Sequence, residues 1–266
     1  MKTLLYALLA LAAVSPLCAQ RYILKDGKSL NHADVALKGG NLVRSVADGA
    51  EVSYPLSQVV RLEFPEPEEI DQARRLAAAG KGVEAEEKIT PIYRQFAPFS
   101  KLPGSWWTDA ALIRARALLD QKKNNEAERA ARELMSTSTD AEAVAAAQLI
   151  MARIQILLDK ADIADAMLDE IMRKDVSSEI EARAVILRGD IAYAGKHFEK
   201  ALGFYLQVPA FHGTEDAVMP VALLGSARAY QGYGDAVRAE RAYLDIIVTY
   251  PNSAEAAIAK SESAKL

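Results

Sequence analysis

The sequence has 266 residues, with 32 Lys and Arg against 36 Asp and Glu, so its formal net charge is -4. A mildly acidic chain lacks the positive field that nucleic acids attract, and no block of Lys and Arg supplies one locally. We therefore expect no DNA or RNA partner. The length allows one large or two small domains with an ample core.

The first 19 residues have the pattern of a secretory signal peptide. Lys2 precedes an unbroken apolar run over 4–14, which Ser15 and Pro16 end, and small residues follow. The run is too short to span a membrane. We place the cleavage after Ala19, which predicts an exported protein, periplasmic or secreted. No later stretch is long and apolar enough to cross a bilayer.

Cys18 is the only cysteine. Cleavage after Ala19 would remove it, so the mature chain would form no disulfide, which suits an oxidising compartment. The alternative is a lipidated Cys18 at the start of a lipoprotein. Pro16 and Leu17 disfavour it because small residues are expected before a lipidated cysteine.

Residues 20–65 read as short strands in a small β domain. Three turn dipeptides separate apolar or alternating runs, namely Asp26-Gly27, Gly39-Gly40 and Asp48-Gly49. A bend led by Pro55 precedes a last strand over 59–64. Four or five strands in so short a segment favour a small SH3-like or Sm-like barrel, although its role stays open.

The remainder, 66–266, is rich in alanine and predicted to be helical, since apolar residues recur at spacings of three and four. The predicted helices form pairs followed by one closing helix: 68–79 with 83–96, 106–121 with 125–137, 140–158 with 161–174, 178–194 with 197–208, 216–232 with 235–250, and 253–265. Gly80, Gly195 and Gly234 fall between paired helices. Ser178 and Asn252 stand three residues before a glutamate, which is capping-box spacing.

One small residue recurs in the second helix of every pair: Ala85, Ala127, Ala164, Ala201 and Ala239. These alanines are spaced 42, 37, 37 and 38 residues apart. A near-constant period in this range indicates stacked helical hairpins, in which two helices approach closely at the small residue.

The repeats resemble the tetratricopeptide repeat (TPR) family. The fifth unit carries the resemblance best, with Ala227, Tyr230, Ala239, Tyr243 and Pro251 at the spacings of that signature. Earlier units keep fewer of these residues. The fourth keeps Gly189, Ala201 and Tyr205, and the third keeps Ala152 and Ala164. The second keeps Ala115 and Ala127, and the first keeps Ala73 and Ala85, with Pro98 near its end. The resemblance implies a mainly α fold, an α-solenoid of about five TPR-like hairpins with a capping helix.

The stretch IIVTYPNSAEAAIAK, 246–260, is similar to the repeats of exported helical proteins of Gram-negative bacteria. Two examples are the helical lipoprotein of the outer-membrane barrel-assembly machine and the Tol–Pal-associated cell-division coordinator. The resemblance implies the cell envelope as the compartment. It leaves the partner, the organism and the oligomeric state open.

The sequence carries little sign of catalytic chemistry. Its histidines are His32, His197 and His212, and the carboxylates near the last two suit solvated helix faces and loops better than a metal site. There is no nucleophile elbow and no phosphate-binding glycine loop. We expect no cofactor and no metal. A hydrolase that uses two carboxylates leaves little trace in a sequence, so that alternative stays open.

Two sets of residues are candidates for contacting a partner. Trp106 and Trp107 open the second hairpin; Trp106 suits core packing, and Trp107 is the candidate for partner contact. The second set follows the small residue of each first helix, and comprises Arg74, Arg116, Arg153, Asp190 and Arg228.

In TPR-like proteins this position lines the concave groove, and arginine forms bidentate bonds with carboxylates. The resemblance therefore implies that Arg74, Arg116, Arg153 and Arg228 hold an acidic segment or a chain terminus. Alternatively, each arginine pairs with Asp or Glu of a neighbouring helix.

The expected function is an exported, non-enzymatic scaffold that binds an envelope protein or peptide segment. The rival expectation is an envelope enzyme or an accessory subunit, with the loop PAFHGTEDAVMP, 209–220, forming part of a pocket.

Overall fold

The computed structural model describes residues 20–266. The predicted signal peptide, with Cys18 and the cleavage site after Ala19, lies outside the described residues. Contacts divide the chain into two compact units. Residues up to Pro65 group with Leu102–Ser105, and Glu66–Lys101 groups with Trp106–Leu266. Residues 102–105, which the sequence analysis places in the helical part, thus belong with the strands.

The first unit contains two antiparallel three-stranded sheets. Their strands are β1 (Arg21–Leu24), β2 (Ser29–Asn31), β3 (Ala36–Lys38), β4 (Asn41–Ser45), β5 (Glu51–Pro55) and β6 (Val59–Glu63). The strand orders are β2-β1-β6 and β3-β4-β5. Each predicted turn dipeptide joins antiparallel neighbours and contains a residue with positive φ, which explains the glycines.

The core of this unit draws on both sheets, through Tyr22, Leu24, Leu30, Leu42, Val43, Val59 and Leu62. The segment 102–105 lies against the last strand. The Leu62 amide donates to the Pro103 carbonyl over 2.8 Å. Gly104 has φ +75°, and a Cβ there would lie 2.0 Å from the Leu62 carbonyl oxygen. Only glycine allows this approach.

The second unit consists of paired helices and one further helix. They are α1 (Glu68–Ala78) with α2 (Gly82–Phe96), α3 (Trp107–Asp120) with α4 (Asn124–Thr137), α5 (Ala141–Leu157) with α6 (Ala161–Met172), α7 (Ser178–Ala194) with α8 (Phe198–Tyr205) and α9 (Gln207–Phe211), α10 (Met219–Tyr233) with α11 (Ala236–Thr249), and α12 (Ala254–Ser263). The predicted hairpins are confirmed. The fourth differs, because its second helix is divided into α8 and α9. Pro209 has no N–H to donate to the Tyr205 carbonyl, so α8 ends there.

The first helices of the pairs form one layer, since α1, α3, α5, α7, α10 and α12 contact one another in series. We call this the inner layer. The aligned alanines of the second helices, Ala85, Ala127, Ala164, Ala201 and Ala239, are each 0% exposed. Their counterparts on the inner helices, Ala73, Ala115, Ala152, Gly189 and Ala227, are also buried. The register predicted from the alanine period is confirmed.

The turn inside every hairpin contains one left-handed residue: Gly80, Lys122, Asp159, Lys196 or Gly234. Each stands five residues before the aligned alanine, so the backbone repeats with the same period as the packing. Gly195 was a predicted turn residue, but it has φ -74° and caps α7. Its neighbour Lys196 takes the left-handed conformation instead.

Two predicted helix caps are displaced by one residue. Ser177, not Ser178, accepts a hydrogen bond from the Ile180 amide at the start of α7. Ser253, not Asn252, accepts from the Ala256 amide at the start of α12. In both cases a neighbouring polar residue has the extended backbone that an N-cap requires.

The closing helix α12 covers the last hairpin. Ala256 and Ala259 are buried against Leu224, Tyr243 and Ile246. Among residues 20–266, no helix combines the length and apolarity needed to cross a bilayer.

Candidate functional site: the arginine row of the inner layer

The arginine row follows the buried small residue of each inner helix. Its members are Arg74 on α1, Arg116 on α3, Arg153 on α5, Asp190 on α7 and Arg228 on α10. Each small residue lies at the contact between the paired helices. Successive residues of an α-helix are rotated by about 100°, so the next residue points away from that contact. Charges on non-adjacent inner helices act on one another: Arg183 and Glu179 on α7 both affect the pKa of Arg116 on α3.

Arg74 is half exposed and makes two loose ion pairs. Its guanidinium lies 3.4 Å from Glu66 and 3.8 Å from Asp109 of the next inner helix. Pairs at this distance and exposure contribute little to stability. Arg74 is held only weakly by its own chain.

Arg153 forms a close ion pair with Asp190. The other Asp190 oxygen accepts a hydrogen bond from the Tyr205 hydroxyl over 2.7 Å. Desolvation and the neighbouring Asp190 carboxylate raise the pKa of Tyr205. The exception in the row, Asp190, therefore serves as the partner of the preceding arginine.

Arg228 repeats this arrangement one unit later. Its Nε and Nη2 donate to the two oxygens of Glu262 over 2.8 and 2.6 Å. The Tyr243 hydroxyl donates to Glu262 over 3.1 Å. The hydrogen bond from Arg228 holds the pKa of the Glu262 carboxyl below its usual range. Glu262 stands 34 residues after Arg228, the usual TPR period, and continues the row on α12.

Arg116 differs from the other three arginines. Within residues 20–266, no ion pair or hydrogen bond is found for its guanidinium, although the side chain is only partly exposed. Desolvation lowers the pKa of Arg116 to about 10, and Arg183 and Arg74 act in the same direction. Arg116 is therefore a desolvated cation without a close carboxylate among the described residues.

Asp120 lies one helical turn beyond Arg116 on α3. Part of its surface reaches solvent, but the surrounding protein desolvates the carboxylate and raises its pKa to about 6. Arg116 and Arg153 lower the pKa, and Glu255 of α12 raises it. A protonated Asp120 leaves the charge of Arg116 less compensated.

The structure contradicts the partner-binding role predicted for Trp107. Its side chain is 1% exposed, and its ring lies 5.8 Å from that of Tyr93 in a tilted contact. Trp107 is therefore a core residue in this structure. Trp106, predicted to be core, is only half-buried, at the N-cap of α3.

The histidines do not converge. His32 Nδ1 and the Tyr22 hydroxyl lie 2.9 Å apart within the first unit. His212 Nδ1 and the Ser178 hydroxyl lie 2.9 Å apart at the loop PAFHGTEDAVMP. His197 lines a wide surface depression of about 530 Å³ with Lys196, Lys200 and Tyr233. Over the described part of the chain, no group of three or more His, Cys, Asp or Glu is arranged to hold a metal ion.

The sequence analysis missed three participants, Asp109, Glu262 and Asp120. The sequence contains a signal for two of the three, Glu262 and Asp120. The 34-residue spacing points from Arg228 to Glu262, and one helical turn separates Asp120 from Arg116. Asp109 had no such signal, because it reaches Arg74 through the packing of α1 against α3.

The fold is mainly α, an α-solenoid of TPR-like hairpins preceded by small antiparallel sheets. Two solved structures are similar to this chain, and both are described as a Podosopora anserina putative kinesin light chain with nearly identical TPR-like repeats. One of them is a point-substitution form of that protein. Each shows 19% identity over 68% of this chain and 92% of that chain, with TM-scores of 0.44 for the substituted form and 0.41 for the other. No family model matches the chain, and no curated protein matches it.

Proposed function

We propose that the protein is a non-enzymatic scaffold that binds an acidic segment or a carboxyl terminus of a partner protein along the arginine row. The observation that carries the proposal is Arg116, which is desolvated and has no close carboxylate among the described residues. Arg74, with only loose pairs, extends the same surface. Arg153 and Arg228 contribute less, because Asp190 and Glu262 already occupy them.

The test uses two labelled decapeptides that differ only in carrying Glu or Gln, titrated into wild type and Arg116→Gln. The wild type should prefer the Glu peptide. Arg116→Gln should lose about 1.5–3 kcal/mol of that preference, the value of a hydrogen bond to a charged group, which is roughly a 10- to 100-fold change in Kd.

Stability separates this role from a structural one. Arg116→Gln removes a desolvated charge without breaking an ion pair, so its melting temperature should equal or exceed that of wild type. The matched control is Arg153→Gln in the same row, which should melt lower because it leaves Asp190 without its cation. A fall in melting temperature for Arg116→Gln, or unchanged peptide binding, would contradict the proposal.

Export to the cell envelope belongs to the same proposal. Its support is the signal-peptide pattern of residues 1–19 and the similarity of 246–260 to exported repeat proteins. The partner is then an envelope protein or peptide, and pull-down from envelope extract identifies it. Intact mass of protein from the native host distinguishes a chain that begins at Gln20 from one with lipid on Cys18.

We also infer that the two sheets of the first unit close into a small SH3-like or Sm-like barrel. The support is that both sheets contribute buried apolar residues, β1, β2 and β6 from one and β4 from the other, within one compact unit. The rival function, a carboxylate-based hydrolase with a pocket at 209–220, has less support. His212 lies within hydrogen-bonding distance of Ser178. It lines neither of the two cavities described, one of which is lined by His197 and Tyr233 and the other by Gln72 and Lys88.

A further inference from the structure

The outward face of α11 carries a stripe of exposed apolar side chains. Val237, Leu244 and Val248 are 79%, 57% and 70% exposed. Together with Arg241 they follow one another at spacings of four, three and four residues, which places all of them on one side of the helix. We call these residues the α11 stripe. The opposite side of α11 packs into the helical unit through Ala239, Tyr243 and Ile246.

The other repeats show that this apolar face is particular to the last hairpin. The stripe lies two residues before, and two, five and nine residues after, the aligned Ala239. At the same positions the second helices of the first three hairpins carry polar or charged residues, except for Val83 and Ala166. In the fourth hairpin only the position of Leu244 holds a large apolar residue, Leu206. A continuous apolar stripe marks an interaction surface, whereas apolar residues exposed singly do not.

The charges on this face are balanced, and two of them lack a partner. Arg241 within the stripe and Asp245 beside it are both exposed, and among residues 20–266 neither forms an ion pair. Arg238 and Glu240 add one charge of each sign. A helix that lies on an anionic lipid surface is flanked mainly by Lys and Arg. The balanced flanks of α11 favour a protein surface that also carries both signs.

The stripe is complementary to itself when two copies of α11 lie antiparallel. A two-fold axis beside its midpoint, between 242 and 243, sets Val237 against Val248 of the second copy and Leu244 against Arg241. Arg241 of each copy then lies within reach of Asp245 of the other, which gives two equivalent ion pairs. We propose that the α11 stripe is the interface of an antiparallel two-fold homodimer of this chain.

The size of the surface indicates the strength of this dimer. α11 has 14 residues, so it is about 21 Å long at 1.5 Å per residue. One helix of this length buries less than the ~800 Å² per partner of a standard interface. On the fourth hairpin, Leu206 and Phe211 add further exposed apolar surface. We therefore expect a weak dimer that forms at high protein concentration and dissociates on dilution.

Sedimentation velocity of the full chain, over a range of concentrations, tests the interface. Wild type should shift from monomer to dimer as the concentration rises. Val237→Asp should weaken dimerisation by about tenfold or more, because the two-fold contact would bury the new charge twice against Val248. The matched control is Val83→Asp, which should dimerise like wild type. Both valines are exposed second residues of their helices, where aspartate suits the helix dipole, so both variants should stay folded.

Either of two results would overturn the proposal. One is a wild type that stays monomeric at every concentration, which would leave the stripe to a different protein. The other is a Val237→Asp variant that dimerises as well as wild type.

The antiparallel register is tested by exchanging the two charges. Arg241→Glu and Asp245→Arg should each weaken the dimer severalfold, because each substitution brings like charges together at two equivalent places. The double variant restores opposite charges and should regain wild-type dimerisation. A double variant that dimerises no better than the single ones would refute the register. Neither experiment uses an acidic peptide, so dimerisation and carboxylate binding by the arginine row stand or fall separately.

Discussion

Tyr205 packs between two inner helices because each presents a glycine to its ring. A Cβ at Gly189 of α7 or at Gly225 of α10 would lie 2.5 Å from Tyr205 Cε1. This placement brings the Tyr205 hydroxyl to Asp190, which in turn holds Arg153. Gly189 and Gly225 therefore position the Tyr205 ring so that its hydroxyl reaches Asp190, the carboxylate that pairs with Arg153.

Gly189→Ala should destabilise the protein by about 1–3 kcal/mol, the usual cost of overpacking a core. The ring cannot move away without leaving Gly225 and breaking its bond to Asp190. Gly203→Ala is the control, because Gly203 lies within α8 with no heavy atom within 4 Å of an added Cβ. It should stabilise by about 0.5–1 kcal/mol through helix propensity. Urea denaturation measures both, and equal stabilities for the two variants would show that the ring has room to shift.

At the scale of the element, each hairpin reverses direction through one left-handed residue, but only two of the five are glycine. Lys122, Asp159 and Lys196 adopt φ values of 62°, 59° and 59°. A side chain in this conformation costs about 1–2 kcal/mol relative to the right-handed one. The middle three hairpins carry this strain, and the helix packing on either side maintains it.

Lys122→Gly and Lys196→Gly should each stabilise the protein by roughly 1 kcal/mol, since glycine adopts this conformation without the steric penalty. The reverse change, Gly234→Ala, should cost a similar amount; its Cβ would meet no heavy atom within 4 Å, so only the backbone is tested. Thermal melts of the three variants provide the measurement. Destabilisation by both lysine substitutions would mean that their side chains contribute more than the strain costs.

At the scale of the whole molecule, the helical unit depends on α12 for more than an end cover. This helix buries the apolar surface of the last hairpin, supplies Glu262 to Arg228 and reaches Gly80 of the first hairpin. In an ordinary stack of repeats each unit contacts only its neighbours. Here the last element also links to the first.

A chain that ends at Tyr250 should lose stability and bind apolar dyes, because Leu224, Tyr243 and Ile246 become uncovered. The loss should be about 3 kcal/mol or more, given ~1.5–3 kcal/mol for each large side chain re-exposed. Glu262→Gln keeps the cover and loses only a partly exposed ion pair, so its cost should stay within about 1 kcal/mol. Calorimetry and dye fluorescence check both variants. A truncated chain that melts like wild type would show that α12 adds nothing to the unit.

The sequence by itself determined the hairpins and their register. These features are local and periodic: Ala85, Ala127 and Ala164 recur because the two helices of every hairpin approach closely at this position. Two helix caps were predicted one residue away from their actual positions. The division of the fourth hairpin's second helix near Pro209 was not predicted. Adjacent polar residues compete for an N-cap, and the sequence does not show which backbone becomes extended.

Only the tertiary structure decided the charge pattern of the inner layer. Whether an arginine binds a partner depends on which carboxylate reaches it, and Arg153 and Arg116 look alike in sequence. Asp190 neutralises the first, whereas nothing within the described chain pairs closely with the second. The burial of Trp107 and the contact of α12 with Gly80 likewise depend on distances between residues far apart in sequence, which the packing of the helices sets.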